Sequence, residues 1–325
     1  LYGEKVSASG GTKAIIAALA ANFGIAVTKF IAYLFSGSSS MLAESVHSLA
    51  DSGNQVLLLV GGRRGRKAAD AEHPFGYGRA RYVYAFIVSI ILFSVGGVFS
   101  VYEGVEKLLH PEELEVPWLP IVVLLVAIVL ESFSLRTAIK ESLPHKGNGT
   151  WVQFIRRAKA PELPVVLLED VAALTGLVLA LAGVSLTIWT GDSAWDGIGT
   201  ICIGVLLVLV AIVLGLEMAS LLVGEGATGR DTAAIRSAIQ SSPDVQRVIH
   251  MKTLYVGPDE LMVGAKVAFD RDKTMADVAY AINRIEDAVR TSVPVARIIY
   301  IEPDVYLDPS APVPETDAII IRTTD

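Results

Sequence analysis

Residues 38–55 read SSSMLAESVHSLADSGNQ and continue directly into VLLLVGG at 56–62. His47 and Asp51 are four apart, so on a helix they share one face, one turn above each other. Glu44 and Asn54 extend that stripe at spacings of three. The stretch is therefore a helix that is polar along one seam in its first half and apolar throughout its second. A charge at mid-membrane costs roughly 2.5–3.5 kcal/mol on insertion scales, so this seam cannot face lipid. It either hydrogen-bonds to neighbouring helices or binds a cation, because a neutral imidazole and a carboxylate on adjacent turns both reach one metal ion.

The rest of the chain supports a membrane setting. Of 325 residues, 52% are hydrophobic and only 19% charged, with mean hydropathy +0.52; a soluble domain carries about a quarter charged residues. Apolar blocks alternate with short charged stretches, and six membrane spans are expected at 12–35, 39–62, 82–102, 118–135, 164–189 and 198–222. This excludes a purely soluble globule and a disordered chain. A net charge of −7 and a pI near 5.3 leave no basic footprint for nucleic acid. The lone Cys202 excludes a disulfide framework or CxxC metal site; set in an apolar run, it is expected to pack as a small hydrophobe. Lys5 and Lys13 precede a first span too long for a signal peptide, with no small-residue cleavage site after it. The chain does not begin with Met, which points to a trimmed or processed product.

Basic residues fix the orientation. Arg63, Arg64, Arg66, Lys67, Arg79 and Arg81 fill the second loop; Arg136, Lys140, Lys146, Arg156, Arg157 and Lys159 fill the fourth. The intervening loops are short or acidic. Positive loops stay inside, so both termini are expected on the cytoplasmic side, or the matrix side of a mitochondrial membrane. A bacterial inner membrane is the other setting.

From residue 225 the composition changes. A short helix at 232–240 precedes strands at 246–256 and 261–269, joined at Gly257-Pro258-Asp259. Val278, Ala281, Ile282, Ile285 and Val289 give 274–289 helical spacing, and 296–301 reads as a third strand. The order αββαβ predicts a small sheet with helices on one face. The fold class is thus an α-helical membrane protein with an α+β cytoplasmic domain. Its expected parts are an N-terminal segment 1–11, a six-helix membrane domain 12–224, the cytoplasmic domain 225–307 and a Pro-containing tail 308–325.

Three further polar groups interrupt apolar blocks. Glu169 and Asp170 are adjacent in the fifth span and point about 100° apart on a helix, so one ligand is expected to meet only one of them. Asp170 shares a face with Val166, Ala173 and roughly Leu174, and Glu169 has open to it the roles of a supporting group, a proton site or an ion pair with Lys29. Glu131 has the same supporting roles open to it, or is an interfacial carboxylate near a helix end. In the second loop, Asp70 and His73 sit in DAEHPFGYGR, either as a peripheral metal site or as a solvated turn.

With these motifs placed, the chain resembles the cation diffusion facilitator family, the zinc transporters, over about residues 12–305. The resemblance rests on Asn22, GSSSMLAESVHSLADSGNQ at 37–55, HPFGYGR at 73–79, EGVEKLLHPE at 103–112 and LLEDVAALTG at 167–176. It is most similar to the zinc-transporter-nine-like branch, found in mitochondria and bacteria. The resemblance implies a homodimer with a ferredoxin-like cytoplasmic domain and export of a divalent metal in exchange for protons. Residue by residue, it implies transport-site ligands at His47, Asp51 and Asp170; the family's fourth ligand, a His, falls on Val166. Glu169, Glu44, Asn22 or water would complete the shell. It also implies a peripheral site at Asp70 and His73, whose further His is Tyr77 here. In the cytoplasmic domain His250 and an acid near Glu302 match metal ligands, while Ala265 and Tyr300 stand at the other histidine positions, so that domain is expected to act mainly in dimerisation.

The expected mechanism is alternating access, with Zn²⁺ as cargo rather than cofactor. Loss of one His leaves an oxygen-rich set that also suits Mn²⁺ or Fe²⁺. The competing readings are a non-transporting membrane scaffold or metal sensor, and an intramembrane metalloenzyme; no HExxH or nucleophile–base pair supports an enzyme. Expected partners are divalent cations, protons, lipid and a second copy of the chain, with no nucleic acid.

Overall fold

The computed structural model describes residues 7–36, 39–110 and 118–306. Long helices dominate: α1 (Ser7–Ser36), α2 (Ser39–Gly65), α3 (Ala80–Ile91), a π-helical segment Leu92–Val98, α4 (Phe99–Leu109) and α5 (Trp118–Lys146). After the short α6 (Trp151–Arg157) come α7 (Glu162–Thr190) and α8 (Ala194–Val223). The C-terminal elements are α9 (Gly229–Gln240), β1 (Val245–Gly257), β2 (Glu260–Phe269), α10 (Met275–Ser292) and β3 (Ala296–Asp304). The chain forms two compact units. One comprises residues up to Glu225 with Tyr255–Leu261; the other comprises Gly226–Leu254 with the residues from Met262 onward.

Among the described residues, five helices are long and apolar enough to cross a membrane, α3 to α4 counting as one continuous path of 30 residues. At 1.5 Å per residue that path is about 45 Å long. The sixth expected span, α2, has 27 residues but is too polar to join that set. The reason lies in its own packing: Ser48, Ser52, Asn54 and Gln55 are all buried, so this polar face is turned to the other helices instead of to lipid. The outside of the first unit is correspondingly apolar, with Phe30, Leu125, Val129, Leu209 and Leu216 exposed. An apolar exterior around a polar interior is what a hydrocarbon solvent selects. Cys202 departs from expectation: it is exposed on α8 and lies on that outer surface.

Close helix contacts are made by small residues. A Cβ on Gly204 would come within 2.6 Å of the Val101 backbone nitrogen, and one on Gly104 within 2.8 Å of the Ile201 nitrogen. These contacts hold α4 against α8 at backbone distance, as small residues do where helices pack in lipid. Two charged pairs fix the cytoplasmic-side ends expected from the basic loops. Arg81 at the start of α3 bonds Glu162 at the start of α7 through both carboxylate oxygens, one of them at 2.8 Å, and Lys159 bonds Glu225. Sequence reading left 136–159 as a loop. Instead α5 continues to Lys146, and α6 begins in a capping box in which Thr150 and Gln153 satisfy each other's backbone N–H groups.

The second unit follows the expected αββαβ order, with the sheet ordered β1-β2-β3. Along β2, Val263, Ala265 and Val267 alternate inward, and α9 and α10 bury Ile235, Ile239, Ala281, Ile285 and Val289. Thr228 caps α9 and Thr274 caps α10, each accepting from a backbone N–H three residues on.

Candidate metal-transport site

Helices α1, α2, α4, α5, α7 and α8, with Leu92 of the π-helical segment, line a cavity of about 230 Å³. Its ionisable and amide lining at one level is Asn22 and Lys29 of α1, Asp51 of α2, Glu131 of α5 and Glu169 of α7. Ser48 adds a hydroxyl from α2. Each arrives there for a local reason. Ser45 Oγ donates to the Ala26 carbonyl at 2.9 Å, which sets α2 against α1. Asn54 Nδ2 donates to Glu169 Oε1 at 3.0 Å and Gln55 Nε2 to Oε2 at 2.7 Å, which sets α2 against α7. Ser134 Oγ donates to Asp170 Oδ2 at 2.8 Å, which sets α5 against α7. Three helix pairs are thus registered by hydrogen bonds, and those of two pairs end on the two adjacent carboxylates.

The two carboxylates have different surroundings. Glu169 lines the cavity with Asp51 and Glu131, while Asp170, only 1% exposed, accepts from Ser134 and is not among the cavity-lining groups. Glu131 is no interfacial group at a helix end: it lies midway along α5 and is 2% exposed. Three buried oxygens here, Glu131 Oε2, Asn54 Oδ1 and Gln55 Oε1, have no hydrogen-bond donor among the described residues. A buried acceptor left without a donor costs about 1–3 kcal/mol, so the Glu131 oxygen, which alone of the three belongs to a cavity-lining side chain, fits a cation or a water that supplies the missing partner.

His47 and Glu44 belong to α2, and their side chains lie outside the described residues. Val166, the position where the family resemblance asks for a His, is fully buried within the apolar core and carries no donor. Among the described residues no group of three or more His, Cys, Asp or Glu is drawn together tightly enough to hold a metal.

The other expected sites sit apart. In the second loop, Gly76 adopts φ 74°, a conformation that suits a glycine at the tight turn. Asp70 Oδ2 accepts from Lys67 Nζ at 2.9 Å and from Tyr77 Oη at 2.8 Å, and Oδ1 accepts from the His73 backbone N–H at 2.8 Å. The Lys67 ammonium and the Tyr77 hydroxyl hold the Asp70 carboxyl well below the usual carboxylate range. His73 Nδ1 stands 3.7 Å from Asp70 Oδ1. In the second unit His250 is on β1 and Glu302 on β3, the two outer strands. β2 lies between them, and strands two apart in a sheet are separated by about 10 Å. Glu302 and Asp304 both pair with Lys266 at 3.1 Å.

Sequence reasoning did not single out Gln55, Ser134 or the far end of the cavity, where Glu103, Lys107 and Asp196 join the lining. Gln55 closes the quoted polar stretch, and Ser134 follows Glu131 by three residues, so both had a positional signal.

The model of the cation efflux transmembrane domain matches residues 15–223. The chain belongs to the cation efflux family. It is an integral membrane protein with several apolar helices. Among curated proteins it is similar to the mitochondrial proton-coupled zinc antiporter SLC30A9 of Mus musculus, 31% identical over 80% of this chain and 46% of that one. It is also similar to metal tolerance protein C4 of Arabidopsis thaliana, 32% identical over 79% of this chain and 57% of that protein. The cation-efflux pump FieF of Pectobacterium atrosepticum is 25% identical over 94% of each chain. The chain spans about half the length of the first of these relatives.

Proposed function

We propose that this protein exports a divalent metal cation, Zn²⁺ foremost, in exchange for protons, by alternating access. One observation carries the reading: a membrane-embedded cavity lined by Asp51, Glu131 and Glu169, in which Glu131 keeps a buried oxygen with no hydrogen-bond donor among the described residues. Carboxylates are expensive in hydrocarbon, and a divalent cation offsets their charge. His47, one turn from Asp51 on α2, supplies the nitrogen donor that Zn²⁺ accepts beside oxygen. In this reading Asp51 and His47 hold the ion, Glu169 and Glu131 complete its charge balance, and Asp170 orients α7 through Ser134.

Metal and protons then compete for the same atoms. A carboxylate or imidazole coordinates only when deprotonated, so loading the metal releases protons and protonation ejects it. A proton gradient thereby drives efflux when the helices expose the cavity alternately to the two sides. Relatives named as a proton-coupled zinc antiporter and as a cation-efflux pump support this assignment. The predominance of oxygen among the described lining groups also suits Mn²⁺ or Fe²⁺ as an alternative cargo. A homodimer is part of the proposal, with the sheet unit as its contact element.

The test is growth of cells stripped of their own zinc exporters. The protein restores growth at raised Zn²⁺, and Asp51→Ala abolishes the rescue at equal membrane abundance. Rescue by Asp51→Ala equal to wild type removes the site. Rescue at raised Mn²⁺ or Fe²⁺ alone reassigns the cargo.

A further inference from the structure

The cavity does not end at the carboxylates. It continues along α4, α7 and α8 to Glu103, Lys107 and Asp196, which line its other end. On the orientation given by the basic loops, that end opens on the non-cytoplasmic side. Lys107 Nζ stands 3.0 Å from Asp196 Oδ2 on the neighbouring helix and 3.9 Å from Glu103 Oε1, one turn back on its own. All three side chains are 21–30% exposed, neither buried in the core nor free in bulk water. The wall that carries them is rigid. One turn away Gly104 and Gly197 meet so closely that a Cβ on Gly104 would lie 2.9 Å from the Gly197 carbonyl oxygen, and one on Gly197 3.1 Å from that of Gly104. The ion pair is therefore held at a fixed crossing, while the opposite side of the mouth is made by Pro120, Val123 and Leu124 of α5.

We propose that Lys107 is an electrostatic guard of the exit mouth, which weakens the hold of Glu103 and Asp196 on a departing divalent cation. The inference rests on the transport reading above. Two carboxylates at the mouth of an exit path would bind the very ion that must leave. The ammonium beside both, 3.0 Å from Asp196 Oδ2 and 3.9 Å from Glu103 Oε1, offsets one of their two negative charges and so weakens their attraction for a cation. Lys107 touches no cargo in the loaded site; it sets the release step through its two partners.

The experiment uses the full chain in proteoliposomes, with Zn²⁺ loaded on the cytoplasmic side and Zn²⁺ or Cd²⁺ added on the opposite side as inhibitor. Lys107→Met removes that ammonium, so inhibition from the exit side strengthens about 10-fold and maximal flux falls, while the cytoplasmic-side KM stays at the wild-type value. Asp196→Asn acts oppositely: the ammonium is less compensated, and exit-side inhibition weakens. The double variant Lys107→Met/Asp196→Asn returns toward wild type, and Lys107→Arg behaves as wild type. A structural role for the ion pair would make both single variants lose flux together, with no opposed shifts in inhibition and no rescue, and would overturn the proposal. Unchanged exit-side inhibition in both single variants would also overturn it. If Lys107→Met does not fold, the direction of the Asp196→Asn shift still decides. Wild-type protein that moves no metal would instead remove the transport reading itself.

Discussion

Glu169 and Asp170 are neighbours in sequence and yet take their hydrogen bonds from different helices. Glu169 receives two amide N–H bonds from α2 and lines the cavity; Asp170 receives a serine hydroxyl from α5. Their side chains leave the helix about 100° apart, so a helix rotation of that size would exchange their roles. The sequence shows the pair and the need for a partner but not the rotation, because rotation is decided by what α2 and α5 present to α7. Asn54, legible as part of the polar seam, and its neighbour Gln55, which the seam did not include, are what turn Glu169 inward. The variants separate accordingly. Glu169→Gln should reduce metal flux about 10–100-fold, the range seen when groups that support a metal site are lost, with the fold intact by size-exclusion profile. Ser134→Ala leaves a buried carboxylate oxygen without its donor and should lower stability by about 1–3 kcal/mol in a denaturant titration. Equal flux in Glu169→Gln and wild type would return the ligand role to Asp170. His47 rests on its spacing from Asp51 alone.

At the scale of elements, hydropathy and loop charge made most of the helices readable, and the αββαβ order was readable from period and turns. Three features were not. The π-helical segment Leu92–Val98 contains Gly96 and Gly97, and the widened turn there has no signature in apolar periodicity. The extension of α5 to Lys146 and the separate α6 lie beyond the apolar block, where capping and not hydrophobicity sets the ends. The tight α4–α8 crossing is also silent in hydropathy plots, since glycines count as neither polar nor strongly apolar. Its energetic weight is testable. Gly204→Val forces a side chain into the Val101 backbone and should cost about 1–3 kcal/mol or more, seen as reduced folded yield and lower melting temperature. Gly53→Ala is the control: nothing lies within 4 Å of its Cβ, and replacing a helical glycine should stabilise by up to about 1 kcal/mol.

On the scale of the whole molecule, charge is partitioned by location. Exposed apolar residues cover the first unit, polar groups line its cavity, and ion pairs hold the ends of its helices and the edges of the second unit. Asp244, in the turn between α9 and β1, pairs with Lys273 and with Arg284 of α10, and those cations hold its carboxyl below the usual carboxylate range. A carboxyl depressed in the folded state contributes stability that is fully present above its unfolded pKa of about 3.9 and is lost as pH falls through the lower folded value. Asp244→Asn should therefore flatten the acid limb of the stability profile below about pH 4, leaving it unchanged near neutrality apart from a constant offset. An acid limb identical to wild type would show that the ion pairs around Asp244 do not matter in solution.

The account as a whole depends on metal and protons exchanging at one set of membrane-embedded carboxylates. The most direct test is a pH-sensitive dye trapped in proteoliposomes that carry the purified chain. Adding Zn²⁺ on the cytoplasmic face should move protons across the membrane opposite to the metal, and Asp51→Asn should abolish both movements together. Zinc movement without proton movement, or coupled exchange that survives in Asp51→Asn, would contradict it.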